Sequence, residues 1–117
     1  MSKEALFNVL NNRFNLSELK VLDLFAGTGN ISYEFGSRGC ESITSIDGDM
    51  GCINFIKKTA QEFDLNITAI KNDVFKFLEK HKGTYDIIFA DPPYGLDQAT
   101  FEKIILLVFE KNSLNHG

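Results

Sequence analysis

The chain has 117 residues, enough for one small domain; 44% are apolar and 11 are phenylalanine, so a packed core is expected rather than disorder. The formal net charge of −4 argues against broad phosphate binding by this segment, because such contacts need a basic face. No apolar run approaches the roughly 20 residues of a membrane span and no signal-peptide pattern opens the chain, so a cytoplasmic protein is expected.

Residues 2–14 form the first predicted helix, with Ser2 as its N-cap and Ala5, Leu6, Val9 and Leu10 on one face. "KVLDLFAGTG" then gives a strand over residues 20–25 that runs into a glycine turn. "NISYEFGSRG" reads as a short helix ending near Gly39, and "SITSID" as a second strand over residues 42–47. A helix over residues 50–63 spaces Ile53, Ile56, Ala60 and Phe63 for one buried face. "ITAI" is a brief third strand, and residues 73–80 form a short helix with Val74, Phe77 and Leu78 inward. Residues 85–90 make a fourth strand, apolar at nearly every position and therefore expected to be covered on both faces. The last predicted helix spans residues 97–111.

Strands alternating with helices indicate a single α/β domain over residues 1–117: an open, mostly parallel sheet with helices on both faces. Cys40 and Cys52 have no repeated metal-ligand spacing and read as free thiols. His81 and His116 are far apart in the sequence, so no metal site is expected. The lysines at 57, 58, 80 and 82 read as solvated surface.

In such a sheet, ligands bind beyond the carboxyl ends of the strands, where strand order reverses. "DLFAGTGN" occupies that place after the first strand, and Gly27 and Gly29 allow a tight turn and close approach to a ligand. A glycine pair alone is also what an ordinary strand-to-helix turn looks like. Asp47 adds weight, because an acid ending the second strand can accept hydrogen bonds from both ribose hydroxyls of an adenosine. Asp49 is its rival for that role. Asp73 is placed to accept from an adenine amino group or to cap the helix it precedes, and the two roles are compatible.

The series Gly-Thr-Gly-Asn-Ile-Ser from Gly27 lacks the third glycine of a dinucleotide loop and the Gly-Lys-Ser/Thr ending of a nucleoside-triphosphate loop. S-adenosylmethionine fits better: it has no phosphates, and its sulfonium charge suits Asp23 at the head of the loop. "DPPY" follows the fourth strand and is expected beside the first. There the Asp91 carboxylate and the Pro92 carbonyl can accept from the exocyclic amine of a nucleobase, a poor nucleophile that must be held with its lone pair directed at a methyl donor. The prolines restrict the backbone, and Tyr94 can stack on a base turned out of its helix or loop.

"VLDLFAGTGN", "YEFGSRG", "SIDGD" and "DIIFADPPY", in that order, resemble the bacterial 16S ribosomal RNA (guanine-N2) methyltransferase family, whose members are class I S-adenosylmethionine-dependent enzymes. "KEALFNVL" is similar to the helix ahead of that family's first strand. The resemblance implies cofactor roles for Asp23, Phe25, Gly27, Gly29, Asp47 and Asp73, and catalytic, base-holding roles for Asp91, Pro92 and Tyr94. It implies ribosomal RNA or the small subunit as partner. Asp47 stands where the family more often has glutamate. The family's basic arm and later strands have no counterpart, so about four of seven strands are expected, in the order 3-2-1-4. The apolar fourth strand would then lie at an open edge; either the chain is a piece of a longer protein, or another chain, including a second copy of this one, covers that edge.

Three alternatives stay open on sequence grounds. The base can be adenine, modified at N6 in DNA or RNA, because both exocyclic amines suit Asp91 and Pro92. The chain can be a cofactor-binding module without activity of its own. A nicotinamide oxidoreductase would leave "DPPY" unexplained.

Overall fold

The computed structural model describes residues 3–80 and 84–90. Helix α1 (Lys3–Arg13) leads through a 3₁₀ turn (Leu16–Glu18) into β1 (Lys20–Leu24) and α2 (Asn30–Ser37). The chain continues through β2 (Ser42–Asp47), α3 (Met50–Glu62), β3 (Ile67–Lys71), α4 (Val74–Lys80) and β4 (Ile87–Ala90). The four strands form one parallel sheet in the order β3-β2-β1-β4. Ser2, the "DPPY" residues Asp91, Pro92 and Tyr94, and the helix expected over 97–111 lie outside the described residues.

Alternation along β1 sorts the core. Val21 packs with Phe7, Leu16, Leu19, Phe35, Cys40 and Ile43 on one face of the sheet. Leu22 and Leu24 pack with Ile46, Val74, Phe77, Leu78 and Tyr85 on the other. Helix α3 adds Ile53 and Ile56 against Ala69. Helices α1, α2 and α3 thus cover one face, and α4 covers the opposite one. Handedness requires this division. The crossovers β1→β2 and β2→β3 step in one direction, whereas β3→β4 returns past β2 and β1, so a right-handed path puts α4 on the far side.

Helix ends follow local chemistry. Gly39, at φ 97°, closes α2: its N–H donates to the Gly36 carbonyl (3.1 Å) and the Cys40 N–H to that of Phe35 (3.0 Å). Asp64, at φ 54°, does the same for α3, with the Leu65 N–H donating to the Ala60 carbonyl (2.8 Å). This early closure explains one departure from the sequence reading. Phe63 lies past the last turn of α3 and is 65% exposed, not part of the buried face, while Ile53, Ile56 and Ala60 are buried.

The first helix departs too. Ala5 is exposed and Val9 is 45% exposed, and the side chain that α1 buries completely is Phe7. Its ring meets Phe35 edge-on, with centroids 4.7 Å apart, and the Arg38 guanidinium sits 4.9 Å from its centroid. Leu10 is half-buried against the same cluster; the Leu6 side chain is outside the described set. Phe7 and Leu10 therefore share the docking face, and Ala5 and Val9 lie off it.

The fourth strand begins two residues later than the sequence pattern suggests, at Ile87. Asp86 is a junction: its N–H donates to the Lys20 carbonyl (2.9 Å) and its carboxylate accepts from the Lys20 N–H (2.8 Å). Ile88 and Ala90 pack toward α4, while Ile87 and Phe89 pack toward α1 and α2. Both faces of β4 therefore carry apolar contacts, although all four residues are only half-buried. Phe7→Ala is expected to lower the unfolding free energy by about 3–5 kcal/mol, and Val9→Ala by less than about 0.5 kcal/mol. Urea denaturation measures both, and equal losses would mean that α1 docks by another face.

Candidate functional site

The carboxyl ends of the strands meet at one edge of the sheet, as the parallel registers require. Leu24 pairs with Ile46 on one side and with Ala90 on the other. The Ala26 N–H extends this ladder by donating to the Ile46 carbonyl (3.0 Å), and the Asn72 N–H donates to that of Asp47 (3.0 Å). The segment 25–29 lies across this edge as a turn of unusual backbone: Phe25, Gly27 and Gly29 have φ of 56°, 59° and 86°.

Each glycine is there for its own reason. Among the described residues, a Cβ on Gly27 would meet nothing within 4 Å. A Cβ on Gly29 would lie 2.9 Å from both Ile56 Cγ1 and the Tyr33 ring. Gly29 is buried at the start of α2, pressed between that helix and α3, and no side chain fits. Phe25 is half-buried and packs against the Leu22–Leu24 core.

Asp47 and the turn are bound together. Its Oδ2 accepts from the Gly27 N–H and its Oδ1 from the Asp49 N–H, both at 2.8 Å. An ionised carboxylate offers about four acceptor directions, so capacity is left for a ligand's hydroxyls on this half-buried side chain. Asp49 is occupied elsewhere: it caps α3 by accepting from the Cys52 N–H at 3.1 Å. The Cys52 thiol and then its N–H hold the Asp49 carboxyl below its usual range, and the same carboxylate pushes the thiol up. Cys52 is thereby kept protonated at neutral pH and is a weak nucleophile. Burial likewise raises the Cys40 thiol; both cysteines are free.

Asp73 caps α4, with Oδ1 accepting from the Lys76 N–H at 3.1 Å, and it is exposed. Asp23 is 4% exposed, beneath the turn rather than in it, and its Oδ2 accepts from the Ser32 hydroxyl at 2.8 Å. Ser32 and Ser45 are completely buried partners that sequence reasoning did not single out. A signal existed, since Ser45 falls on the inward side of β2 between Ile43 and Asp47. An open groove of about 520 Å³ between α2 and α3, lined by Tyr33, Thr59, Phe63 and neighbours, includes none of the predicted site residues. Among the described residues no cluster of His, Cys, Asp and Glu could hold a metal ion, and no helix is long and apolar enough to cross a membrane.

A parallel sheet in this order, a glycine turn after β1 and an acid closing β2 define a Rossmann-like domain of the methyltransferase type. The chain belongs to the family described as Conserved hypothetical protein 95, whose model matches residues 1–117. It is 31% identical over 116 residues to Ribosomal RNA small subunit methyltransferase D of Buchnera aphidicola, an alignment covering 98% of this chain and 58% of that protein. The chain thus spans little more than half the length of that curated relative. The crystal structure of a candidate methylase from Haemophilus influenzae matches with a TM-score of 0.82 at 30% identity, over 97% of this chain and 71% of that one. A SAM-dependent methyltransferase from Agrobacterium tumefaciens matches with a TM-score of 0.73 at 28% identity, over 96% of this chain and 39% of that one.

The two glycines give a graded expectation. Among the described residues, Gly27→Ala meets no side chain, and it carries the left-handed backbone penalty of about 1–2 kcal/mol. Gly29→Ala adds overlap with Ile56 and Tyr33 and should cost about 1–3 kcal/mol more. Urea unfolding of both variants checks the order, and a Gly27 variant less stable than the Gly29 variant would refute the packing described for the turn.

Proposed function

We propose that this chain carries the cofactor-binding part of an S-adenosylmethionine-dependent methyltransferase that modifies the exocyclic N2 amine of a guanine in small-subunit ribosomal RNA. The observation that carries the cofactor half is the Asp47 carboxylate, held at the end of β2 by the Gly27 N–H, on a glycine that no described residue covers within 4 Å. An adenosine fits this donor set: Asp47 would take the ribose hydroxyls, Phe25, Gly27 and Gly29 would border it, and exposed Asp73 would accept from the adenine amine. We assign Asp23, buried beneath the turn, to the sulfonium side of the site. The cofactor, when bound, supplies the methyl group.

The RNA half rests on the relative named as a ribosomal RNA small subunit methyltransferase and on "DPPY". Ala90, the last described residue of β4, pairs with Leu24, the residue before Phe25, so β4 and β1 end at the same level. We assign Asp91 and the Pro92 carbonyl to holding the base amine, and Tyr94 to stacking on the base, an interaction worth about 1–3 kcal/mol. Positioning a weak nucleophile between two acceptors accounts for much of the expected rate. The partner is ribosomal RNA, free or within the small subunit, in the cytoplasm.

Calorimetric titration of the chain with S-adenosylhomocysteine, with NADH as control, tests the cofactor assignment. The expected result is selective binding that Asp47→Ala weakens at least about tenfold through lost charge-assisted hydrogen bonds. A folded chain that ignores S-adenosylhomocysteine, or prefers NADH, would overturn it. N2-methylguanosine in digests of small-subunit RNA treated with the protein is the expected product; N6-methyladenosine would transfer the assignment to adenine.

A further inference from the structure

Three polar side chains lie where the sheet face packs under α2: Ser45 and Ser32 are fully buried, and Asp23 is 4% exposed. They come from β2, α2 and β1, the elements that flank the glycine turn. Asp23 and Ser45 are also direct partners in the parallel register. The hydroxyls of Ser32 and Ser45 are 2.6 Å apart, and Ser32 Oγ is 2.8 Å from Asp23 Oδ2.

Proton bookkeeping gives this chain a direction. Ser32 has one hydroxyl proton, and a carboxylate is a stronger acceptor than a neutral hydroxyl. The proton therefore goes to Asp23, and at 2.6 Å the Ser32 oxygen must accept from Ser45. The relay runs Ser45→Ser32→Asp23, and the buried acid orients it. An alanine at either serine position would pack without any polar requirement. Buried polar groups left partly satisfied are costly, so the trio holds one arrangement of β1, β2 and the first turn of α2 and disfavours others.

That arrangement sets the turn. Ser32 is three residues after Gly29, Asp23 two before Phe25, and Ser45 two before Asp47. The Gly27 N–H meets Asp47 at 2.8 Å only while these three elements keep their spacing. We propose that Ser32 and Ser45 are positioning residues: through Asp23 they hold the glycine turn onto Asp47 and so pre-organise the site. The ligand-binding consequence rests on the cofactor reading above; the geometric consequence does not.

Residue-resolved amide hydrogen exchange on the wild-type chain, Ser32→Ala, Ser45→Ala and the double variant separates positioning from bulk stability. Ser32→Ala is expected to speed exchange at Gly27 about tenfold, with the Leu22 and Ile46 amides unchanged. The double variant should be no worse at Gly27 than Ser32→Ala, because Ser45 acts through Ser32. S-adenosylhomocysteine affinity, measured by calorimetry on the same samples, should fall in step with Gly27 protection. Uniform acceleration across β1 and β2, additive losses in the double variant, or an unchanged Gly27 amide would each overturn the proposal. Selective loosening at Gly27 in a protein whose wild type binds no S-adenosylhomocysteine would support the positioning role and sink the cofactor reading instead.

Discussion

Parallel strands can be joined only by crossovers, and that constraint organises everything else in this domain. Because each of the three crossovers returns the chain to the same starting edge, the carboxyl ends of β1, β2, β3 and β4 all emerge on the opposite one. The reversal of direction after β3 sends α4 to the far face and leaves β1 bonded on both sides. A strand in that position has no solvent face. Val21, Leu22 and Leu24 accordingly have no exposed surface, and the turn beyond Leu24 is presented from a rigid platform.

Polar chemistry at that edge is unevenly distributed, and the division of labour among the acids reflects their depth. Asp23 sits inside the helix–sheet interface and is answered by a hydroxyl. Asp47 sits half-buried at the rim and is answered by two backbone N–H groups, with acceptor capacity remaining. Asp49 and Asp73 are exposed and cap α3 and α4. Four aspartates that look alike in the sequence thus serve as interior anchor, rim acceptor and two helix caps. Of the two acids that rivalled each other on sequence grounds, Asp49 is consumed by the helix start and Asp47 is the one bonded to the glycine turn.

Whereas the strand order was expected from the family resemblance, the alternation of elements and the glycine turn were legible because periodicity and turn chemistry are local properties. The inward sets Ile53–Ile56–Ala60 and Val74–Phe77–Leu78 were legible for the same reason. Local pattern misled where one contact outweighed several. Phe7, outside the predicted face of α1, is buried by meeting Phe35, 28 residues away in the sequence, while Ala5 and Val9 of that face are exposed and Leu10 is half-buried. Phe63 fell outside the buried face because α3 closes at Ala60 and Leu65, a hydrogen bond that propensity alone does not announce.

The sequence by itself determined the class of domain and the residue types gathered at the strand ends, because spacing along the chain dictates which side chains share a face and which end of the sheet they reach. Only the tertiary structure decided what each of those side chains is bonded to. The pairing of Asp47 with Gly27 spans 20 residues, and the Ser45–Ser32–Asp23 relay joins three separate elements. Hydrogen bonds of that kind depend on distances of a few tenths of an ångström between segments, a precision set by the packed core beneath them and by no local pattern.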